Sequence, residues 1–151
     1  MIPRLDLDDS ATSRWLSLPI LLVTGVVLII AVMLEPSLHG HGTHTQLGLN
    51  QCSVLEWTGY PCPMCGMTTS FALMVRARVF QALATQPMGV VFCVLTIFMF
   101  VVALMESIRP RLRWGKLWKG MVRFEGRIVV LCVVGLLAAW VYKMWSMGIF
   151  A

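Results

Sequence analysis

The sequence predicts an all-α membrane protein with three transmembrane helices and one interfacial or re-entrant helix, which follows an extracytoplasmic loop rich in cysteine and histidine. Of the 151 residues, 58% are hydrophobic and 13% are charged, whereas about a quarter of the residues in an ordinary soluble domain are charged. The chain therefore has too few polar residues to cover a soluble core, and we expect a single membrane domain over residues 1–151. The same composition excludes disordered, collagen-like, coiled-coil and small disulfide-rich secreted proteins.

Three apolar stretches are long enough to cross a bilayer, at about 15–34, 87–105 and 128–147. The first has 20 uncharged residues between Arg14 and Glu35, and at about 1.5 Å per residue they cover about 30 Å, the thickness of a hydrocarbon core. Pro87 lies at a position that the first turn of a helix tolerates. The third stretch contains Lys143, whose side chain we expect to snorkel to the interface.

The positive charges predict how the chain is oriented. The basic loop 106–127 carries a net charge of +5, from the cations Arg109, Arg111, Arg113, Lys116, Lys119, Arg123 and Arg127 against two glutamates. Because cytoplasmic loops are enriched in Lys and Arg, we expect a multi-pass protein of the inner (plasma) membrane with this loop and the N-terminus in the cytoplasm. Such a loop suits anionic lipid headgroups, so we expect the lipid bilayer as a partner and no nucleic acid.

The segment 67–84 is apolar enough for a helix but carries Arg76 and Arg78 near its middle. Arginines are costly at the centre of a bilayer, and a fourth span here would force the basic loop outside. We therefore expect an interfacial or re-entrant helix on the outer side. The hydroxyls of Thr68, Thr69 and Ser70 are expected to cap its start.

The outer Cys/His loop, residues 36–66, contains all three histidines and three of the five cysteines of the chain. These candidate metal ligands are His39, His41, His44, Cys52, Cys62 and Cys65. The sequence Cys62-Pro63-Met64-Cys65-Gly66 has the form of a zinc knuckle, to which Cys52 and one histidine would add the third and fourth ligands of a zinc ion. Thioether groups nearby would also suit copper(I).

The same cysteines allow two other interpretations. A C-x-x-C pair at the start of a helix is typical of thiol–disulfide chemistry, and the helix dipole would favour a thiolate at Cys65 or Cys62, with Cys52 as a resolving thiol. Alternatively, a structural disulfide staples the outer loop, which an oxidising compartment permits. The sequence leaves these alternatives open.

The core of the loop also carries a family resemblance. Thr58-Gly59, Pro61 to Gly66 and Thr68 follow in order the pattern T-G-x-P-C-P-x-C-G-x-T, which resembles a bacterial membrane-protein family known as domain of unknown function 2752, over about His39 to Met105. Family members often have Gly where this chain has Met64 and Arg where it has Thr69. The second difference weakens, for this chain, any role that depends on the arginine of those family members. The resemblance implies a small bacterial integral membrane protein and supplies no activity.

The sequence contains no Ser/His/Asp arrangement, paired carboxylates or phosphate-binding loop. We therefore expect a non-enzymatic accessory or scaffold subunit of a larger membrane-protein complex, with its outer loop ordered by a disulfide or a metal such as zinc. The alternatives are a membrane thiol–disulfide oxidoreductase that uses the Cys-Pro-Met-Cys motif, and a zinc- or copper-handling protein.

Overall fold

The computed structural model describes residues 6–108 and 125–148. Within these ranges the chain forms α-helices, one 3₁₀ turn and loops, without a β-strand, which confirms the all-α prediction for this part of the chain. The elements are α1 (Asp6–Met33), the 3₁₀ turn (Thr43–Leu47), α2 (Ser53–Thr58), α3 (Met67–Met74), α4 (Val79–Thr85), α5 (Pro87–Ile108) and α6 (Glu125–Ser146). Most of the predicted basic loop, residues 109–124, lies outside the described residues.

Two of the three predicted spans have the length and composition needed to cross a membrane. These are Pro87–Ile108 and Gly126–Ser146, whereas the apolar part described for the first helix, Ser17–Met33, is shorter. In α5, only 22% of the most apolar 18-residue stretch is buried inside the chain, and in α6 only 11% of the corresponding stretch is buried. The core helix of a soluble protein is mostly buried. The rest of this chain, by contrast, leaves most of the apolar surface of α5 and α6 uncovered.

Helices α1 and α5 pack against each other in antiparallel orientation. The hydroxyl oxygens of Ser17 and Ser107 lie 3.4 Å apart, and a Cβ atom at Gly25 would lie 3.3 Å from the ring of Phe100. The middle of α1, at Ser17, is thus beside the end of α5. Glycine at position 25 lets the two helices approach closely.

The predicted single helix over 67–84 is wrong, because the structure has two helices, α3 and α4, separated by a turn. Ala77, in this turn, has φ 58°, a left-handed conformation that residues with a side chain adopt only at some cost. The guanidinium of Arg76 donates hydrogen bonds to the carbonyl oxygens of Ala31 (3.3 Å) and Val32 (2.9 Å). The turn therefore lets Arg76 bind the carbonyl groups that the last turn of α1 leaves free.

The hydroxyls of α3 do not cap the helix as predicted, because its N-cap residue is Gly66 and no side chain bonds there. They make tertiary contacts instead. Ser70 is fully buried and its Oγ donates to the carbonyl oxygens of Ala82 (2.9 Å) and Gln86 (3.1 Å). The Oγ1 atoms of Thr69 and Thr43 lie 2.8 Å apart. These bonds join α3 to α4 and to the 3₁₀ turn.

Candidate functional site: a thiol cluster held by the last helix

The Cys-Pro-Met-Cys segment is a tight turn that leads directly into α3. The backbone N–H of Cys65 donates to the carbonyl oxygen of Cys62 at 2.9 Å. Gly66 then has φ 89°, and a Cβ atom there would lie 2.7 Å from the carbonyl oxygen of Gly40. Only glycine combines this conformation with this close approach, so the turn is fixed against the first part of the outer loop.

The three loop cysteines form a cluster, here called the thiol cluster: Cys52, Cys62 and Cys65. Cys52 is the N-cap residue of α2, and its thiol lies close enough to that of Cys62 for each to shift the pKa of the other. The thiols of Cys62 and Cys52 likewise raise the pKa of Cys65. All three are free thiols, with Cys65 buried and the other two half-buried. Cys62 is thus the central member of the cluster.

The three thiols of the cluster differ in their pKa. Partial burial works to raise the pKa of Cys52, but the backbone at Leu55 and the thiol of Cys62 outweigh it, so its pKa lies below the ordinary value. Burial raises the pKa of Cys62, and its neighbour Cys52 raises it further. Burial, together with the other two sulfurs, raises the pKa of Cys65 to about 11. Cys52 is therefore the member that most readily forms a thiolate.

The expectation that the dipole of the following helix favours a thiolate at Cys65 or Cys62 is wrong. Cys65 does lie just before α3, but its side chain is only 6% exposed. Removal from water disfavours a thiolate, and so do the two neighbouring sulfurs. These effects exceed any benefit from the helix terminus, which leaves Cys52 as the candidate nucleophile.

Two side chains from outside the loop hold the backbone on either side of Cys62. The indole Nε1 of Trp140, in α6, donates to the carbonyl oxygen of Pro61 at 2.7 Å. The amide Nε2 of Gln86, just before α5, donates to the carbonyl oxygen of Pro63 at 3.0 Å. The position of the Cys62 backbone is therefore set by α6 and by the residue before α5.

Lys143 of α6 makes a third attachment. Its side chain is only 4% exposed, and its Nζ donates to the carbonyl oxygens of Gly40 (3.1 Å) and Thr85 (3.2 Å). The expectation that Lys143 snorkels to the interface is therefore wrong. Its positive charge lies near Cys65 and partly opposes the rise in the pKa of that thiol. Lys143 thus joins the outer loop, α4 and the thiol cluster.

The three histidines lie beside the thiol cluster. A cavity of about 230 Å³ is lined by His39, His41, His44, Cys52 and Cys65, together with other loop residues. His41 donates from Nδ1 to the carbonyl oxygen of His39 at 2.9 Å, and His44 donates from Nε2 to that of Asn50 at 3.2 Å. In these neutral tautomers the other ring nitrogen of each histidine keeps its lone pair.

The donor types around this cavity suit zinc or copper(I), and a carbonyl oxygen that orients a histidine ring is common around bound metals. However, the part of the chain that the structure describes contains no group of three or more His, Cys, Asp or Glu side chains placed to hold a metal ion. The structure brings five of the six predicted ligands to one cavity without directing them at one point. The metal site stays a prediction.

Sequence reasoning missed Trp140, Gln86 and Lys143. A tryptophan near the end of a span is usually placed at the membrane interface, so the sequence pattern gives Trp140 no role in the outer loop. The role of Lys143 could have been suspected from the sequence, because an ionisable residue inside an apolar span is a functional candidate by default. Gln86, beside Pro87, offered no pattern that separates it from an ordinary loop residue.

Among known protein families, the one described as "Protein of unknown function (DUF2752)" matches residues 52–100, which confirms the resemblance for this part of the chain. No curated protein and no solved structure matches the chain. The matched segment contains the thiol cluster, α3, α4 and most of α5, whereas the histidines and α6 lie outside it.

Proposed function

We propose that the protein carries out thiol–disulfide exchange, with Cys52 as the nucleophile and Cys62 as the resolving thiol. The observation that carries this proposal is the proximity of the Cys52 and Cys62 thiols, each of which shifts the pKa of the other, in a loop fixed by Trp140 and Gln86. Exchange needs a thiolate with a second thiol within reach. Both cysteines are half-buried, not enclosed, so a partner disulfide can reach them.

The exchange balances without another reactant. The Cys52 thiol loses its proton, and its thiolate attacks one sulfur of a partner disulfide; that S–S bond breaks, a mixed disulfide forms, and the other partner sulfur leaves as a thiolate that takes up the proton. Cys62 then loses its proton and attacks the Cys52 sulfur, forming the Cys52–Cys62 disulfide. The second partner sulfur leaves and takes up this proton, so that the partner is released as a dithiol. The partner is reduced and this chain is oxidised; the reverse sequence oxidises a partner dithiol. The class of substrate is a protein or peptide disulfide or dithiol.

Cys65 has a different role in this proposal. It is buried and neutral at ordinary pH, so it is a poor nucleophile. Cys65 therefore stays outside the reacting pair.

For the membrane arrangement we propose three spans, α1, α5 and α6, with the N-terminus and the basic loop in the cytoplasm of a bacterial cell and the thiol cluster outside its inner membrane. The small buried share of α5 and α6 and the antiparallel contact of α1 with α5 support it. Alkylation of intact cells with an impermeant maleimide tests the orientation. Labelling of Cys52 before lysis is expected, and labelling only after lysis would contradict it.

The exchange proposal is tested by trapping. Cys62→Ser, in the full-length protein in its native membranes, is expected to accumulate mixed disulfides at Cys52, because the resolving step is lost. Cys65→Ser is the matched control, since it makes the same change in the same loop and leaves both reacting thiols. Mixed disulfides that accumulate equally in the two variants, or in neither, would overturn the assignment of Cys52 and Cys62.

We also propose, as a second candidate, a non-enzymatic accessory or scaffold role in a larger membrane complex. The supporting observation is that only 11% of the most apolar 18-residue stretch of α6 is buried inside the chain. Most of the surface of this helix is therefore free to contact lipid or another protein. Affinity isolation in mild detergent tests it. Co-isolation of a stoichiometric membrane protein that persists in a Cys52→Ser/Cys62→Ser double variant would support this role, and a lone monomer would count against it.

A further inference from the structure

A second cavity of about 370 Å³ lies between the first part of the outer loop, α4 and the end of α6. Arg78, Lys143 and His39 line it, along with the polar side chains of Gln81 and Ser146. No acidic side chain is among the lining residues that the structure describes. Two basic side chains, Arg78 and Lys143, therefore line this cavity without a negative side chain in the described part of its wall.

Lys143 is the feature that most favours an anionic ligand. Its ammonium group is buried and carries three donors, of which two are used by the carbonyl oxygens of Gly40 and Thr85. The third has no oxygen acceptor among the hydrogen bonds found in residues 6–108 and 125–148. A buried charge with a free donor that lines a cavity is stabilised by an anion in that cavity.

Arg78 is the second cationic residue that lines this cavity. Its side chain is exposed, and a guanidinium binds phosphate oxygens in a bidentate manner. Arg78 precedes α4, where Phe80 is 87% exposed and Leu83 is 42% exposed, while Gln81 lines the cavity. One side of α4 therefore offers apolar residues to lipid while its other side borders a basic cavity, as expected at the level of phospholipid headgroups.

We propose that this cavity binds the phosphate of a phosphate-bearing anion, with Arg78 and Lys143 as the cationic partners. Its volume lies at the low end of ligand sites, which are about 300–1,000 Å³, and suits a glycerophosphate-sized group. The same chemistry is offered by the headgroup of an anionic phospholipid and by a free phosphate monoester. The site does not depend on the exchange chemistry of the thiol cluster.

The experiment measures binding to the purified full-length protein. Affinity for phosphatidylglycerol is compared with that for phosphatidylcholine by native mass spectrometry, and glycerol 3-phosphate is titrated as the free phosphate monoester. The wild type is expected to retain at least one of the two anionic probes in preference to phosphatidylcholine. Phosphatidylglycerol alone identifies a lipid site, and competition by glycerol 3-phosphate identifies a site open to soluble monoesters.

Arg78→Gln is the test variant, because its exposed side chain can be replaced without disturbing a buried contact. It is expected to weaken binding of the retained probe about tenfold. Arg127→Gln removes the same charge from the exposed surface at the other end of α6 and is expected to bind like the wild type. Equal losses in the two variants, or no preference for either anionic probe in the wild type, would overturn the proposal.

Discussion

Trp140 donates a hydrogen bond of 2.7 Å from its indole to the carbonyl oxygen of Pro61, 79 positions earlier in the chain. The bond joins α6 to the residue that precedes Cys62. Trp140 lies outside the segment that matches a known family, whereas Pro61 lies inside it. The matched segment is therefore held in position by a helix that the family match does not include.

Trp140→Phe is expected to destabilise the protein by about 1–2 kcal/mol, because the buried Pro61 carbonyl loses its donor. Hydrogen exchange should increase at residues 62–65, and Cys62 should alkylate faster. Trp145→Phe is the control, since Trp145 is on the same helix and 73% exposed. Equal effects of the two substitutions would show that the bond to Pro61 does not hold the turn.

Gly66→Ala is expected to cost about 3 kcal/mol or more. The new Cβ would lie 2.7 Å from a backbone oxygen of Gly40 and would add the strain of a left-handed conformation, about 1–2 kcal/mol. Gly59→Ala is expected to lose only the free energy of the left-handed conformation, because Gly59 has φ 72° and no atom lies within 4 Å of the added Cβ. Thermal unfolding in detergent compares the two variants, and equal losses would contradict the close approach of Gly66 to Gly40.

Arg76→Met is expected to destabilise the protein by about 1–3 kcal/mol, because the last carbonyl groups of α1 lose a charged donor. Hydrogen exchange should increase at the end of α1 while the thiol cluster stays protected. Arg78→Met removes the same charge two residues later and should leave the end of α1 unchanged. Increased exchange there in both variants would contradict the role of Arg76.

Alkylation of the three loop cysteines should depend differently on pH. The thiolate is the reactive form, so the lowered pKa of Cys52 predicts labelling at a lower pH than for an ordinary cysteine. The pKa of about 11 for Cys65 predicts that it stays unlabelled until pH approaches that value. Short maleimide pulses, quantified for each cysteine by mass spectrometry, measure this order. Labelling of Cys65 before Cys52 would contradict the structure of the cluster.

The positions of the long helices could be predicted from the sequence, whereas the break in the 67–84 segment could not. An apolar run of about 20 residues has few alternatives to a long helix, and Pro87 does begin α5. Residues 67–84 contain no glycine or proline that would mark a break. The turn at Ala77 is explained by the bonds of Arg76 to α1, and such tertiary contacts override local helix preference.

The members of the thiol cluster could also be predicted, but their roles could not. Three cysteines in one short loop are bound to lie near one another, and Cys62 and Cys65 share a turn. Which thiol ionises depends on burial, and Cys65 is buried by residues distant in sequence, including Lys143. The sequence pattern alone favoured the thiols next to α3, and the structure favours Cys52.

The central claim is that Cys52 and Cys62 form the reacting pair, and disulfide mapping tests it most directly. The purified full-length protein is oxidised with oxidised glutathione, the remaining thiols are blocked with maleimide, and the disulfides are mapped by mass spectrometry. We expect a Cys52–Cys62 disulfide with Cys65 recovered as a blocked free thiol. A Cys62–Cys65 disulfide, or all three thiols recovered free, would contradict the account.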